Sequence, residues 1–425
     1  MKDNKMKMNY IRNYFKSSYN IDIFTLVTWQ CTWRTIYSHI LNLLTLDFLK
    51  KCLSPTKKSK SENRIPFFKQ FLIALILIFQ YFANAAVNLD KIKLPPGFKI
   101  SVYAKDVNGA RSMTWGAKGT LFVGTRNEGK VYAVEPNGKI HLLAEGLNMP
   151  NGIAFSDGTL YVAEVHRLIK FPEIESKLLS PPQPQIITTF PNDAHHGWKY
   201  LAKGTDSKLY ISQGVPCNIC EVKDPYGTIF NIDKDGSNLK ILARGIRNSV
   251  GFDWNPLTHE LWFTENGRDN LGDDVPPDEL NRITKADLHF GYPYCHGGDI
   301  LDPQFGKNKN CADYEKPEQK FGAHVASLGM RFYTGKTFNK KYLNQIFVAE
   351  HGSWNRSSPV GYRISLVTLG DNGHAKSYET FAEGWLQENG PWGRPVDIIN
   401  APDGSLLISD DYANVIYKIQ YQSKK

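Results

Sequence analysis

Short apolar strands, each entered through a polar turn, recur six times along the chain. They are Gly119-Thr120-Leu121-Phe122-Val123, Asp157-Gly158-Thr159-Leu160-Tyr161-Val162, Asp206-Ser207-Lys208-Leu209-Tyr210-Ile211, His259-Glu260-Leu261-Trp262-Phe263, Asn344-Gln345-Ile346-Phe347-Val348 and Asp403-Gly404-Ser405-Leu406-Leu407-Ile408. Most are followed by a second strand, as in Val131-Tyr132-Ala133-Val134, Gly227-Thr228-Ile229-Phe230-Asn231-Ile232 and Asn414-Val415-Ile416-Tyr417-Lys418-Ile419. Turn residues between β-branched and aromatic runs predict hairpins. Six such units predict an all-β fold, a six-bladed β-propeller with one unit per blade. A lone strand, Phe98-Lys99-Ile100-Ser101-Val102-Tyr103, is expected to pair into the last blade and remove an exposed edge. A second phrase, Leu143-Ala144-Glu145-Gly146-Leu147, echoes in Leu242-Ala243-Arg244-Gly245-Ile246 and Phe381-Ala382-Glu383-Gly384-Trp385 and is read as marking blade starts. The longest insertion, from about Asp287 to Leu328, is rich in Gly, Pro and Asn.

The N-terminal part does not share this pattern. Phe71 to Phe82 is an apolar run of 12, preceded by Lys57, Lys58, Lys60, Arg64 and Lys69 and followed by Ala83-Asn84-Ala85. A basic region, a short apolar stretch and an A-x-A site make residues 56–85 a secretory signal peptide. The run is too short to cross an apolar core of about 30 Å, so no stable membrane span is expected after cleavage. Residues 1–55 are read as a doubtful extension from a mis-assigned start, with a genuine cytoplasmic extension as the rival reading, and residues 86–425 as the propeller. The expected location is periplasmic or secreted.

This division changes the charge argument. The whole chain carries +9, but residues 1–85 hold 13 Lys and Arg against 4 Asp and Glu, which leaves 38 of each sign in residues 86–425. No nucleic-acid footprint remains. Four cysteines follow residue 85: Cys217, Cys220, Cys295 and Cys311. An even count in an exported chain favours disulfides, and four cysteines allow three pairings. Cys217–Cys220 with Cys295–Cys311 is preferred; no second CxxC exists for zinc, and no His follows Cys220 for haem attachment.

Four constellations carry candidate chemistry. His196, in His195-His196-Gly197-Trp198-Lys199-Tyr200-Leu201, is of the residue type whose ordinary pKa lies near neutrality and that suits a general base, although a loop His is more often plain surface. Arg247 and Asn248, with Asn266, Gly267 and Arg268 in the next turn, offer a guanidinium for a carboxylate and amides for polar contacts; a loop salt bridge is the simpler alternative. Asp273-Asp274-Val275-Pro276-Pro277-Asp278-Glu279-Leu280-Asn281 is either an oxygen-rich site for calcium or a solvated acidic turn. Trp354 and Arg356, in Glu350-His351-Gly352-Ser353-Trp354-Asn355-Arg356, and Arg394, in Trp392-Gly393-Arg394, add an aromatic face and two guanidinium groups, unless the tryptophans only pack between blades. Converging on a propeller axis, these groups suit a flat polyanion.

These phrases, together with Gly291-Tyr292-Pro293-Tyr294-Cys295, resemble the soluble quinoprotein sugar dehydrogenases that use pyrroloquinoline quinone (PQQ), in the sorbosone or aldose dehydrogenase-like branch, over roughly residues 93–421. The resemblance implies that His196 takes the proton of the sugar's C1 hydroxyl while the C1 hydride goes to the quinone. It implies that Arg247, Asn248, Asn266 and Arg394 contact PQQ, that Trp354 and Arg356 lie in the same region, and that the backbone carbonyls of Gly267 and Arg268 hold Ca2+. A sugar substrate and an unidentified electron acceptor would be the partners. One position departs: Val215 stands where related glucose dehydrogenases carry an acidic residue that orients the catalytic His. Either another group, such as Asp193 or Asn218, orients His196, or the base is weaker. Two rivals remain open, a metal-dependent propeller lactonase and a non-catalytic carbohydrate- or protein-binding propeller. The first predicts carboxylates on the axis and no need for arginines there.

Overall fold

The computed structural model describes residues 87–422; the expected extension at 1–55 and signal peptide at 56–85 lie outside the described residues. Six four-stranded antiparallel blades follow one another along the chain. Blade one is Ala110–Trp115, Leu121–Thr125, Val131–Val134 and Ile140–Ala144. Blade two is Gly152–Ser156, Thr159–Ala163, Arg167–Phe171 and Gln185–Thr189. Blade three is Leu201–Lys203, Leu209–Gln213, Thr228–Ile232 and Lys240–Arg244. Blade four is Phe252–Trp254, Leu261–Glu265, Pro277–Ile283 and Gln319–Ala323. Blade five is Ser327–Phe332, Ile346–Glu350, Arg363–Leu369 and Ala375–Ala382. Blade six is Pro395–Asn400, Leu406–Asp410 and Val415–Tyr421, completed by the N-terminal strand Phe98–Ala104. The described residues contain no α-helix, only four short 3-10 turns, and no helix among them is long and apolar enough to cross a membrane.

The six repeated sequence strands are the second strand of each blade. Their near-continuous apolarity has a physical cause: both faces are buried. In blade one Leu121 and Val123 face the core shared with blade six, while Phe122 faces the core shared with blade two. Each blade pair owns one such core, and the ring closes with the cluster between blades five and six. The expected closure by the strand near Phe98 is present, with Phe98 opposite Tyr421 and Ile100 opposite Ile419.

Two readings need correction. The Leu-Ala-Glu-Gly phrase ends the fourth strand of a blade instead of starting one, as Ile140–Ala144 and Ala375–Ala382 show. The acidic segment 273–281 is not all loop: Asp278 and Glu279 lie on a buried central strand. The insertion after Ile283 adds Leu288–His289 in parallel to the outer edge of blade three. Its Cys295–Cys311 bridge and the Cys217–Cys220 bridge are both formed.

Near the axis, a polar cluster ties the innermost strands together. Arg331 of blade five reaches Tyr200 Oη at 3.0 Å, the Ile398 carbonyl at 3.0 Å and Asp253 at 3.3 Å. Asp397 accepts from the Met113 amide at 2.9 Å. Burial lifts Asp397 to about 6 even with Arg331 beside it. Blades three, four, five, six and one are thus bonded beneath the loops.

The closing strand generates a stability prediction. Phe98 meets Phe338, Tyr342, Phe381 and Tyr421 edge-on. Phe98→Ala should cost roughly 3 kcal/mol in urea unfolding; a change under about 1 kcal/mol would show that closure does not depend on this ring.

Candidate active site

The loops at one end of the axis enclose a cavity of about 560 Å³, within the usual range for a small-molecule site. His195, His196 and Trp198 reach it from the turn before blade three, Arg247 and Asn248 from the turn before blade four, and Asn266, Gly267 and Asp269 from the turn after Glu265. His351, Gly352, Trp354 and Asn355 come from blade five, Arg394 from the turn before blade six, and Arg111 and Arg126 from blade one.

His196 is buried and held in the left-handed region at φ 49°, a strained conformation that surrounding structure must impose. Lys199 imposes part of it. Fully buried, it bonds the carbonyls of Val165 at 2.5 Å and Gly197 at 3.1 Å, and burial pushes its pKa down to about 7. Gly214 permits the conformation, since a Cβ there would lie 2.5 Å from the His196 carbonyl oxygen. His196 Nδ1 lies 3.1 Å from the Val215 carbonyl. A carbonyl only accepts, so Nδ1 carries the proton and Nε2 is left as the basic nitrogen. Burial, then the charge of Arg247, holds the imidazole pKa well below its ordinary value. The residue that orients His196 is therefore Val215 itself, through its backbone, which any side chain supplies. Asp193 instead accepts from Tyr226, and Asn218 bonds Arg247 and Asp269.

Arg247 is fully engaged. Its Nε bonds the Asn218 carbonyl at 2.9 Å; one terminal nitrogen bonds the carbonyls of Gly267 at 2.8 Å and Asn266 at 3.2 Å; the other bonds Asn218 Oδ1 at 2.9 Å and Asp269 at 2.8 Å. All five donors of the guanidinium are thus taken, so it organises the wall of the cavity instead of offering a free fork. Glu265 Oε1 accepts from the Arg247 amide at 2.6 Å and fixes this turn. Burial, reinforced by Glu279, raises the Glu265 pKa well above the usual carboxylate range, and burial lifts Asp278 to about 7. The side-chain amide of Asn248 makes no hydrogen bond within the described residues, whereas Asn266 donates to Ser327 at 2.7 Å.

Arg126 and Arg111 were not singled out from the sequence. The Arg126 guanidinium stacks 3.6 Å above the Trp198 ring and has no hydrogen-bond or ion-pair partner among the described residues; its buried Nε is unsatisfied. Burial, with Arg111 and Arg394 nearby, pushes its pKa down to about 10. Arg111, by contrast, pairs with Asp411 at 2.6 Å, and Asp411 also takes His351 Nε2 at 2.8 Å. Burial opposes ionisation of Asp411, but His351 and Arg111 hold its pKa far below the usual value, while burial lowers His351 to about 4. The repeat register offered a signal. Arg126, Asn266, His351 and Asp411 each directly follow the second strand of their blade.

Other expected residues fall differently. Arg394 lines the cavity, its Nε and one terminal nitrogen on the carbonyls of His351 and Gly352 at 3.0 and 2.7 Å. Trp354 stands at the mouth, 72% exposed. Arg356 lies outside, bonded to the Asp273 carbonyl and to Asp274 at 3.3 Å, because the acidic turn captures it. The Arg268 side chain turns to Asp302 at 2.6 Å. A flat polyanion fits this cavity, given an unpaired guanidinium, a second with donors to spare and a free amide. For calcium, the carbonyls of Gly267 and Arg268 are two oxygens against the six to eight it takes, and Gly267 already accepts from Arg247. A bound molecule and water would have to supply the remainder.

The TrAA12-like family model matches residues 92–422. An uncharacterised protein of Borreliella burgdorferi is 35% identical over 377 residues, covering 83% of this chain and 97% of that one. A structure of the AA12-family carbohydrate-active enzyme of Trichoderma reesei superposes with TM-score 0.67 at 21% identity, covering 78% of this chain and 98% of its own. The holo form of the PQQ domain of pyranose dehydrogenase from Coprinopsis cinerea superposes with TM-score 0.66 at 18% identity, covering 77% and 97%. The PQQ-bound aldose sugar dehydrogenase of Streptomyces coelicolor gives 0.58 at 19%, covering 77% and 99%. The chain belongs to the TrAA12-like family, a family of PQQ-dependent sugar dehydrogenases.

Proposed function

We propose that this protein oxidises an aldose, sorbosone or a related sugar, using PQQ bound in the axial cavity. The observation that carries this reading is Arg126, a guanidinium without a partner, placed in one cavity with a neutral histidine. An unpaired buried cation is costly unless an anion arrives. Arg126 and Arg394 would hold carboxylates of the quinone and Asn248 a further oxygen, while Arg247 keeps the Asn266–Gly267 turn in place. When bound, PQQ supplies a two-electron acceptor for the sugar's C1 hydride. His196 Nε2 takes the proton of the hydroxyl, which its neutral state at pH 7 allows. Trp354 at the mouth offers a face for the sugar. Ca2+ is proposed to bind jointly with the quinone at the carbonyls of Gly267 and Arg268. The arginines disfavour the lactonase reading. Two disulfides support export to an oxidising compartment.

Three measurements on residues 86–425 test this. His196→Ala should lower kcat by roughly 10³-fold with an artificial electron acceptor while PQQ titration stays near wild type; surviving turnover would remove His196 as the base. Arg126→Met should weaken PQQ binding by about 2 kcal/mol, roughly thirtyfold; unchanged affinity would sink the anion-site assignment. The active form of His196 is the neutral one, and its pKa is depressed. The acid limb of kcat/KM should therefore fall below the ordinary imidazole value of about 6.5, and a limb at or above it would contradict the assigned environment.

A further inference from the structure

We propose that the Cys217–Cys220 loop is a structural part of the cofactor site, and that Asn218 within it is the positioning residue for Arg247. This rests on the reading of the axial cavity as a quinone site. Asn218 makes four hydrogen bonds into the cavity wall. Its carbonyl takes Arg247 Nε at 2.9 Å, and its Oδ1 takes an Arg247 terminal nitrogen at 2.9 Å and the Asp269 amide at 2.8 Å. Its side-chain Nδ2 donates to the Asp269 carbonyl at 3.1 Å. One side chain with its backbone therefore fixes both an arginine and the turn that carries Gly267 and Asp269.

A short loop could not hold such geometry unaided, because its backbone has no strand partner. The bridge between Cys217 and Cys220 closes the loop around Asn218. Tyr292, from the long insertion, braces it: its hydroxyl accepts from the Cys220 amide at 2.9 Å and lies 3.4 Å from Cys217 Sγ. The chain entering the loop is tied as well, since the Val215 amide donates to the Arg247 carbonyl at 3.0 Å. The Val215 carbonyl is the group that orients His196 at 3.1 Å. Residues 215–220 thus anchor the base and the arginine together. Asp269 extends the brace to blade five, accepting from Asn355 at 2.9 Å.

The second bridge supplies the control. Cys295–Cys311 pins the insertion, and neither cysteine makes a hydrogen bond to a residue lining the cavity. PQQ dissociation constants and melting temperatures are to be measured for wild type, Asn218→Ala, Cys217→Ser/Cys220→Ser and Cys295→Ser/Cys311→Ser. Asn218→Ala keeps both bridges and should fold. It and the Cys217/Cys220 pair should weaken PQQ binding by about 10- to 100-fold, and both should shift the acid limb of kcat/KM. The Cys295/Cys311 pair should lower only the melting temperature. Wild-type affinity in Asn218→Ala would overturn the proposal, as would equal weakening by both disulfide variants, which indicates general loosening. Wild-type protein that binds no PQQ would instead overturn the quinone reading, and this inference with it.

Discussion

Closure of the ring is the constraint on which everything else depends. Every blade buries both faces, so no blade is stable without two neighbours, and the sixth is completed only by the chain's own N-terminal strand. Once Phe98–Ala104 is paired with Val415–Tyr421, the six inter-blade cores lock the radial positions of all loops. Residues more than 280 positions apart in sequence, such as Arg111 and Asp411, can then meet at 2.6 Å. An open ring would scatter the cavity, because its residues share no local sequence segment.

Charge is the second organising quantity. The cavity holds Arg111, Arg126, Arg247 and Arg394 against few ionised carboxylates. Asp411 offsets Arg111 and Asp269 offsets Arg247. Burial pushes Asp278 and Glu265 toward their neutral forms. What remains is an excess of positive charge focused on Arg126 and Arg394. Burial first, and the neighbouring guanidinium groups second, hold His196 and His351 in their neutral forms, so the charge that favours an anion also favours a proton acceptor.

The fold was legible because its signal is repetitive. Leu121-Phe122-Val123 and its five counterparts show the same two-sided burial, and repetition outweighs the ambiguity of any one strand. The site was legible where short phrases carry chemistry: His196, Arg247, Asn248, Asn266 and Arg394 all reach the cavity. It was not legible where the decisive group is backbone. Val215 orients His196 through its carbonyl, so its side chain gave no hint. Arg356 was misplaced because nothing in a sequence says that the acidic turn 273–274 takes its guanidinium first. Arg126 was missed because Gly124-Thr125-Arg126 resembles ordinary turn sequence. Only alignment with Asn266 in the repeat register distinguishes it.

The polar cluster beneath the loops has its own consequence. Tyr200, Asp253, Arg331 and Asp397 lie a few residues further along the same inner strands that carry the cavity residues, and they bond those strands across the axis. They cross-brace the inner strands of five blades, so a strand that carries a cavity residue cannot shift without breaking bonds to strands of other blades.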